Sequence, residues 1–138
     1  MQIIYKQGEL PEQDAVIALY EANGWSAAKK PETLMNALQG SHFLASAFRG
    51  AALVGLANAI SDGHMVVYYP HLLVHPDHQG AGIGQQLMQR MMARYRGFHQ
   101  HSLLSVAEAV GFYERVGFER AGTAVAMWIY QGDDTRDD

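Results

Sequence analysis

The chain contains no cysteine among its 138 residues. This absence excludes disulfide bonds, thiolate metal ligands and a cysteine nucleophile, and it fits a reducing compartment. The sequence also lacks a signal-peptide hydrophobic region at its start and an apolar run long enough to cross a membrane. We therefore expect a cytoplasmic protein that has no membrane partner.

Positive charge is sparse as well. The formal net charge is −4, and no basic cluster is longer than Lys29-Lys30. This distribution argues against nucleic acid as a partner. Seven histidines raise the question of a metal site, and His71, His75 and His78 lie close in sequence. Because His78 falls in a loop and no carboxylate pattern completes a ligand set, we expect no metal.

The overall composition is that of an ordinary globular chain, with 49% hydrophobic and 17% charged residues. Its length is typical of one domain with a real core. We assign residues 1–132 to a single domain. The last residues, 133–138, are rich in aspartate and are expected to form a flexible acidic tail.

Hydrophobic periodicity predicts an α/β (α+β) fold in the order βααβββαβαβ, with a mixed, mostly antiparallel sheet flanked by helices. Strands are expected at residues 2–6, 42–48, 51–60, 65–74, 100–106 and 123–130. Helices are expected after Pro11, from Pro31 to Gly40, from Ile83 to Tyr95 and from Ser105 to Gly117. Ser105 and Glu108 form a capping-box pattern, so the Ser105 hydroxyl is expected to cap the last helix.

Three glycines alternate with other residues where the strand at 65–74 gives way to a helix, in the stretch HPDHQGAGIGQQL. The free N–H groups of a first helical turn and the helix dipole together favour an anion at this position. A P-loop is excluded, since Gly84 is followed by Gln85-Gln86 rather than Lys-Ser/Thr. A dinucleotide-binding fold is also excluded, since hairpins precede the loop.

The segment LLVHPDHQGAGIGQQL resembles the acyl-CoA-binding signature of the GNAT superfamily of N-acetyltransferases, with Gln79, Gly82 and Gly84 at the signature positions. The segment AVGFYERVGF is similar to that family's second signature, whose tyrosine is here Tyr113. The stretches LYEANGW and LVGLANAISDG also resemble a small bacterial branch of the family, so the resemblance covers roughly residues 3 to 130. It implies the GNAT fold and an acetyl-CoA-dependent N-acetyltransferase.

The resemblance also implies where acetyl-CoA binds. A V-shaped opening between the fourth and fifth strands would hold the pantetheine arm, and the N–H groups of residues 79 to 84 would hold the pyrophosphate. Val74 would pair with the arm as a strand does, and the Leu72 N–H would polarise the thioester carbonyl. The expected cofactor-binding residues are Leu72, Leu73, Val74, Gln79, Gly80, Ala81, Gly82, Ile83, Gly84 and Tyr113.

For catalysis, the resemblance implies that Tyr113 donates a proton to the departing thiolate, as a phenol near the sulfur can do. The spacing of Tyr113 equally allows a core position. Relatives often carry an acidic residue just before the position of Leu72, whereas this chain has Pro70-His71. Histidine side chains titrate near neutrality, so His71 is a candidate base. A water held by Tyr68 is the alternative, and His71 could instead only satisfy a hydrogen bond in the sheet.

Tyr20 and Trp25 fall where relatives shape the acceptor pocket, although core packing explains Tyr20 equally well. With Tyr68, they are the predicted substrate-binding residues. Because no cysteine can carry an acyl group, we expect direct attack by the primary amine of a small molecule in a ternary complex. The alternative is a CoA-binding sensor or interaction module with little catalytic activity. A nucleotide-binding protein is a more distant alternative, and the resemblance is compatible with a homodimer.

Overall fold

The computed structural model describes residues 2–133. The strands are Ile3–Gln7 (β1), Phe43–Arg49 (β2), Ala52–Ser61 (β3), Val66–Tyr68 (β4), Leu72–Val74 (β5) and Gln100–Ser102 (β6). The α-helices are Gln13–Ala22 (α1), Pro31–Gln39 (α2), Ile83–Arg94 (α3) and Val110–Arg115 (α4). Short 3-10 turns cover Ser26–Lys29, Pro76–His78 and Ala107–Ala109. Apart from Asp133, the predicted acidic tail lies outside the described residues.

All six strands join one mixed sheet, and this confirms the predicted fold class. The order β1-β2-β3 is antiparallel throughout, and the long strand β3 then pairs with both β4 and β5 along its other side. The last pair, β4 with β6, is parallel. The sheet is therefore mostly antiparallel, as expected for a chain rich in hairpins.

Three predicted strands differ from the structure. The strand expected at 65–74 is divided into β4 and β5, because Pro70 has no N–H to donate and interrupts the ladder. The strand expected at 100–106 ends at Ser102. The segment 123–130 forms no strand, since no neighbouring strand within residues 2–133 pairs with it.

Two hydrophobic clusters cover the two faces of the sheet. On one face, α3 contributes Ile83, Leu87, Met88 and Met91, each at most 1% exposed. On the other, α1 and α2 contribute Val16, Leu19, Tyr20, Leu34 and Leu38. Gly55 of β3 allows α3 to approach closely, since a Cβ there would lie 2.9 Å from Leu87 Cδ1. This packing fixes the start of α3 against the sheet.

Within the described residues no helix is both long and apolar enough to cross a membrane.

The turn between β3 and β4 depends on Asp62, whose Oδ1 accepts hydrogen bonds from the N–H groups of His64, Met65 and Val66. These bonds, above all that from Met65, lower the pKa of Asp62 to about 2 from its ordinary value of 3.8. Because the pKa of Asp62 is lower in the folded state than in the unfolded state, the ionised carboxylate stabilises the fold at pH values above its unfolded-state pKa. This stabilisation is lost as the pH falls through the folded-state pKa.

We predict that Asp62→Ala lowers the melting temperature most at neutral pH. The difference from the wild type should shrink as the pH falls from about 4 towards 2, because the wild-type carboxylate is then protonated. Melting curves followed by circular dichroism across this range test the prediction. A melting difference that does not change with pH would show that the ionised carboxylate is not what stabilises the turn.

Candidate active site

The sheet opens at the break between β4 and β5. β4 runs beside β6 as far as the hydrogen bond from the Tyr69 N–H to the Ser102 oxygen, at 3.0 Å. Past this point β5 pairs with β3 alone, and no backbone hydrogen bond within residues 2–133 joins β5 to the chain that follows β6. The side of β5 that lies away from β3, past the end of the β4–β6 pair, is hereafter called the gap.

The backbone of β5 presents polar groups to this gap. The His75 N–H donates to the Val54 oxygen at 2.8 Å, and the His71 oxygen accepts from the Asn58 N–H at 3.2 Å. Because the hydrogen-bonding direction alternates along an antiparallel strand, the N–H and C=O groups of Leu72 and Val74 point away from β3. Those two residues are the ones whose backbone the sequence predicted to contact the cofactor.

The glycine loop stands at the N-terminus of α3, next to β5. Gly80 and Gly82 have φ values of +84° and +81°, which favour glycine, and Gly82 caps the helix. The backbone bond into the first turn runs from the Gln86 N–H to the Gly82 oxygen at 3.0 Å. The N–H groups of Ile83, Gly84 and Gln85 are therefore the unpaired donors of that turn.

The surroundings of the loop fit a diphosphate. No atom lies within 4 Å of where a Cβ would stand at Gly80 or Gly82, so an anion can approach the backbone. The Gln79 side chain donates to the Val74 oxygen at 3.2 Å and ties the loop to β5. β5 and the loop, which carry the predicted cofactor residues other than Tyr113, therefore lie next to each other.

Tyr113 lies on α4, beside the same loop. A Cβ on Gly84 would lie 3.3 Å from the ring of Phe112, so α4 packs against the start of α3. The Tyr113 ring contacts those of Phe112 and Phe118, with centroids 5.1 and 6.0 Å away. Burial raises the pKa of Tyr113 above its ordinary 10.0, so the phenol is protonated at neutral pH. Its hydroxyl makes no hydrogen bond within residues 2–133.

His71 lies in the break between β4 and β5 and belongs to a cluster with Tyr20 and Trp25. The Tyr20 hydroxyl and His71 Nδ1 are 2.7 Å apart. The Trp25 ring meets His71 edge-on, with centroids 5.2 Å apart. Burial raises the pKa of Tyr20, so this phenol stays protonated. The Tyr20 side chain is 0% exposed and offers no surface to an acceptor, whereas Trp25 and His71 are half-buried.

Asn58 is a site residue that the sequence interpretation missed. Its Oδ1 accepts the His71 N–H at 3.0 Å, and its Nδ2 donates to Ser41 Oγ at 3.0 Å. The side chain is 4% exposed on an otherwise apolar strand. A buried amide in the run AALVGLANAI was the available signal, because buried polar groups require partners.

Two further predicted residues lie near the break between β4 and β5 or after β6. Tyr68 is half-buried at the end of β4, and burial raises its pKa. Ser105 does not cap a helix: its hydroxyl donates to the Val106 oxygen at 2.8 Å, and the following 3-10 turn has no side-chain cap.

The histidines that raised the question of a metal site have other contacts. His75 Nδ1 accepts the Asp77 N–H at 3.1 Å. Among the described residues, no group of three histidine or acidic side chains is placed to hold a metal.

Comparison with known proteins identifies the class. The family model described as an acetyltransferase (GNAT) domain matches residues 9–127. A GNAT family acetyltransferase from Streptococcus pneumoniae TIGR4 is 32% identical, with a TM-score of 0.82 over 94% of this chain and 99% of that chain. The chain belongs to the GNAT acetyltransferase family.

Two further relatives match different shares of this chain. The uncharacterized N-acetyltransferase ycf52 of Gracilaria tenuistipitata var. liui is 34% identical over 68 residues, which are 48% of this chain and 37% of that protein. The chain thus spans well under half of this curated relative. A solved aminoglycoside N-acetyltransferase in complex with CoA has a TM-score of 0.69 at 14% identity, over 94% of this chain and 95% of that one. It shares the fold.

Proposed function

We propose that this chain transfers an acetyl group from acetyl-CoA to a primary amine of a small molecule, by direct attack in a ternary complex. One observation carries the proposal: the outward-facing backbone of Leu72 and Val74 lies beside the unpaired N–H groups at the start of α3. A strand edge suits the amide-bearing pantetheine arm, and a helix N-terminus suits the diphosphate. The two features meet in one gap, as a single extended ligand would require.

In this arrangement the backbone of the chain does most of the binding. The N–H groups of residues 79 to 84 hold the diphosphate, and Val74 pairs with the pantetheine arm. The Leu72 N–H donates to the thioester oxygen, where negative charge develops during attack. The amine nitrogen forms a bond to the carbonyl carbon, and the carbon–sulfur bond breaks. Positioning of the two substrates supplies the larger part of the acceleration.

Two protons move during the reaction. The attacking nitrogen loses one, and the departing thiolate gains one. Tyr113 supplies the second, because its raised pKa keeps the phenol protonated and its hydroxyl has no partner within residues 2–133. His71 takes the first, either directly or through a water. A water held by Tyr68 is the second candidate, since Tyr68 is also half-buried at the break.

Tyr20 acts through His71 in this proposal, rather than by touching the acceptor. If His71 accepts a proton on Nε2, its Nδ1–H must donate to the Tyr20 oxygen, which lies 2.7 Å away. The bond strengthens as the imidazole becomes charged. Because the Trp25 ring contacts His71, an acceptor that reaches His71 also meets Trp25. Trp25 is therefore the proposed substrate-contacting residue of this cluster.

We predict that Tyr20→Phe lowers kcat/KM about fivefold, the effect of losing one hydrogen bond of roughly 1 kcal/mol. It should also move the acid limb of the pH profile to lower pH, because the charged imidazole loses its acceptor. Tyr95→Phe is the matched control: Tyr95 is 1% exposed, and its hydroxyl lies 2.7 Å from Nδ1 of another histidine, His42. Equal changes in both profiles would assign Tyr20 a purely structural role.

The acetyl-transfer proposal is tested by incubating the protein with acetyl-CoA and a panel of small amines. Free thiol and acetylated amine are measured together, by a thiol reagent and by mass spectrometry. We expect at least one amine to give the two products in equal amounts. Binding of CoA without acetylation of any amine would favour the sensor or interaction module. ATP binding tighter than CoA binding would favour a nucleotide-binding protein.

A further inference from the structure

The break between β4 and β5 contains one residue more than the stretch of β3 beside it. Ala57 of β3 pairs with Leu72 of β5, and Ile60 pairs with Tyr68 of β4. Between these two pairs β3 has two residues, whereas the facing chain has three, residues 69–71. An extra residue of this kind is a β-bulge, which bends the strand and redirects its side chains. The last of the three residues is the candidate base, so the bulge decides its direction.

A side chain takes part in the sheet at this bulge. The residues of a hydrogen-bonded antiparallel pair normally exchange two backbone bonds. Asn58 and His71 make one of them, from the Asn58 N–H to the His71 oxygen, at 3.2 Å. The His71 N–H donates instead to the side-chain Oδ1 of Asn58, at 3.0 Å. Because side chains stand roughly perpendicular to a sheet, this bond turns the His71 N–H out of the ladder, towards the face on which the Asn58 side chain lies.

That face of the sheet carries the helices α1 and α2. Alternate residues of a strand share a face, and Leu56, two residues before Asn58, belongs to the cluster that α1 and α2 form with the sheet. Tyr20 of α1 belongs to the same cluster, and its hydroxyl lies 2.7 Å from His71 Nδ1. The backbone of His71 and its imidazole are therefore both bonded on the α1–α2 face.

Asn58 is itself held in one orientation. Its Nδ2 donates to Ser41 Oγ at 3.0 Å, and the Ser41 hydroxyl donates to the Ala37 oxygen, also at 3.0 Å. Ala37 lies in the last turn of α2, where the carbonyl groups have no partner inside the helix. The amide must present its oxygen to His71 and its NH₂ group to Ser41, so a flipped amide would break both bonds. The end of α2 is thus connected to His71 through two side chains.

We propose that Asn58 is a positioning residue for acetyl transfer. It holds the His71 peptide turned towards α1, so that the imidazole meets the Tyr20 hydroxyl and the N–H of the following residue, Leu72, faces the gap. The Asn58 side chain is 4% exposed and offers almost no surface to a substrate, so it acts through these two residues. This inference rests on the proposed function, because it gives Asn58 a role in that reaction.

Asn58→Leu is the first test, since leucine is close to asparagine in shape and has neither an acceptor nor a donor. We expect kcat to fall by about 10²-fold, the cost of displacing a reacting group by about 1 Å. The affinity for CoA, measured by calorimetric titration, should be nearly unchanged, because β5 and the glycine loop are held by His75 and Gln79. A lower melting temperature with an unchanged kcat would make Asn58 purely structural and would overturn the proposal.

Ser46→Ala is the matched control. Ser46 of β2 pairs with Leu56 and so lies on the same face of the sheet. It is 1% exposed, and its hydroxyl has no hydrogen-bond partner within residues 2–133. Its loss removes a buried polar group of the same sheet without touching His71, so this variant should keep the wild-type kcat.

Ser41→Ala is a milder variant that leaves the Asn58 side chain in place. Ser41 is half-buried, and its loss removes the contact that orients the amide. We expect kcat to fall by about fivefold, the equivalent of one hydrogen bond. If Asn58→Leu does not fold, which circular dichroism checks, Ser41→Ala carries the test. A wild-type kcat in either folded variant overturns the proposal.

A second measurement does not depend on turnover. The His71 and Trp25 rings have centroids 5.2 Å apart, so nuclear Overhauser effects between their protons are expected in the wild type. These effects should persist in Ser46→Ala and disappear in Asn58→Leu. Their retention in Asn58→Leu overturns the positioning role, whether or not any amine is acetylated. If they disappear as expected but the wild type acetylates no amine, the acetyl-transfer proposal fails, while the control of His71 by Asn58 is confirmed.

Discussion

Tyr113→Phe is expected to lower kcat for acetyl transfer by about 10²–10⁴-fold, the usual contribution of a positioned general acid. The affinity for CoA should be nearly unchanged. The substitution keeps the ring contacts with Phe112 and Phe118 and removes only a hydroxyl that has no partner within residues 2–133. The lost rate therefore reports on proton donation and not on packing.

The pH dependence of this effect has a definite sign. A raised pKa keeps Tyr113 protonated at every pH below its ordinary 10.0, and the acid is lost only as the pH rises beyond that. The ratio of wild-type to variant rate should therefore be constant through the neutral range. Steady-state kinetics with CoA titrations measure both quantities, and Tyr5→Phe on β1 serves as the control. Full activity in Tyr113→Phe would exclude the acid role.

Gly82→Ala is expected to weaken CoA binding by about tenfold or more, the value of one hydrogen bond to a charged group. Two causes act together. A Cβ at Gly82, the residue that caps α3, would occupy open space that an anion bound at the helix start can use, since no protein atom lies within 4 Å of it. The φ of +81° also strains any residue that has a Cβ, so the loop geometry shifts.

Gly97→Ala is a matched control for this variant. Gly97 has a φ of +86°, and again no atom lies within 4 Å of where a Cβ would stand, but it follows α3 at the opposite end. Both variants should lose about 1–2 kcal/mol of stability through the same backbone strain. Calorimetric titration with CoA should separate them: only Gly82→Ala should bind more weakly. Equal affinities of the two variants for CoA would show that the glycine loop is not part of the binding site.

Local sequence signals were enough for the elements whose ends are chemically marked. The predicted limits of α2, Pro31 and Gly40, agree closely with the observed helix, since proline fits a first helical turn and glycine ends a helix readily. The hairpin of β2 and β3 followed from composition and alternation. The strand at 65–74 was predicted as continuous, because its apolar run outweighed Pro70. The segment 123–130 reads as a strand by composition, but a strand needs a neighbour, and propensity does not supply one.

The candidate site also contains one feature that the sequence predicts and one that it does not. The glycine loop could be predicted, because positive φ and close approach to the backbone leave a direct mark on the sequence. The environment of His71 could not. Its partner Tyr20 is 51 residues away, and Asn58 reaches it only through the register of β3 and β5. These contacts depend on how α1 packs on the sheet, which no local pattern encodes.

We propose that β5 and the start of α3 form one binding site for CoA. An NMR titration of backbone amides with CoA examines both elements in one experiment. We expect the amide signals of Leu72, Val74 and residues 80–85 to shift together and to saturate at one CoA per chain. Shifts confined to another surface, such as the groove lined by Arg90 and Arg94, or no saturable shift at all, would contradict it.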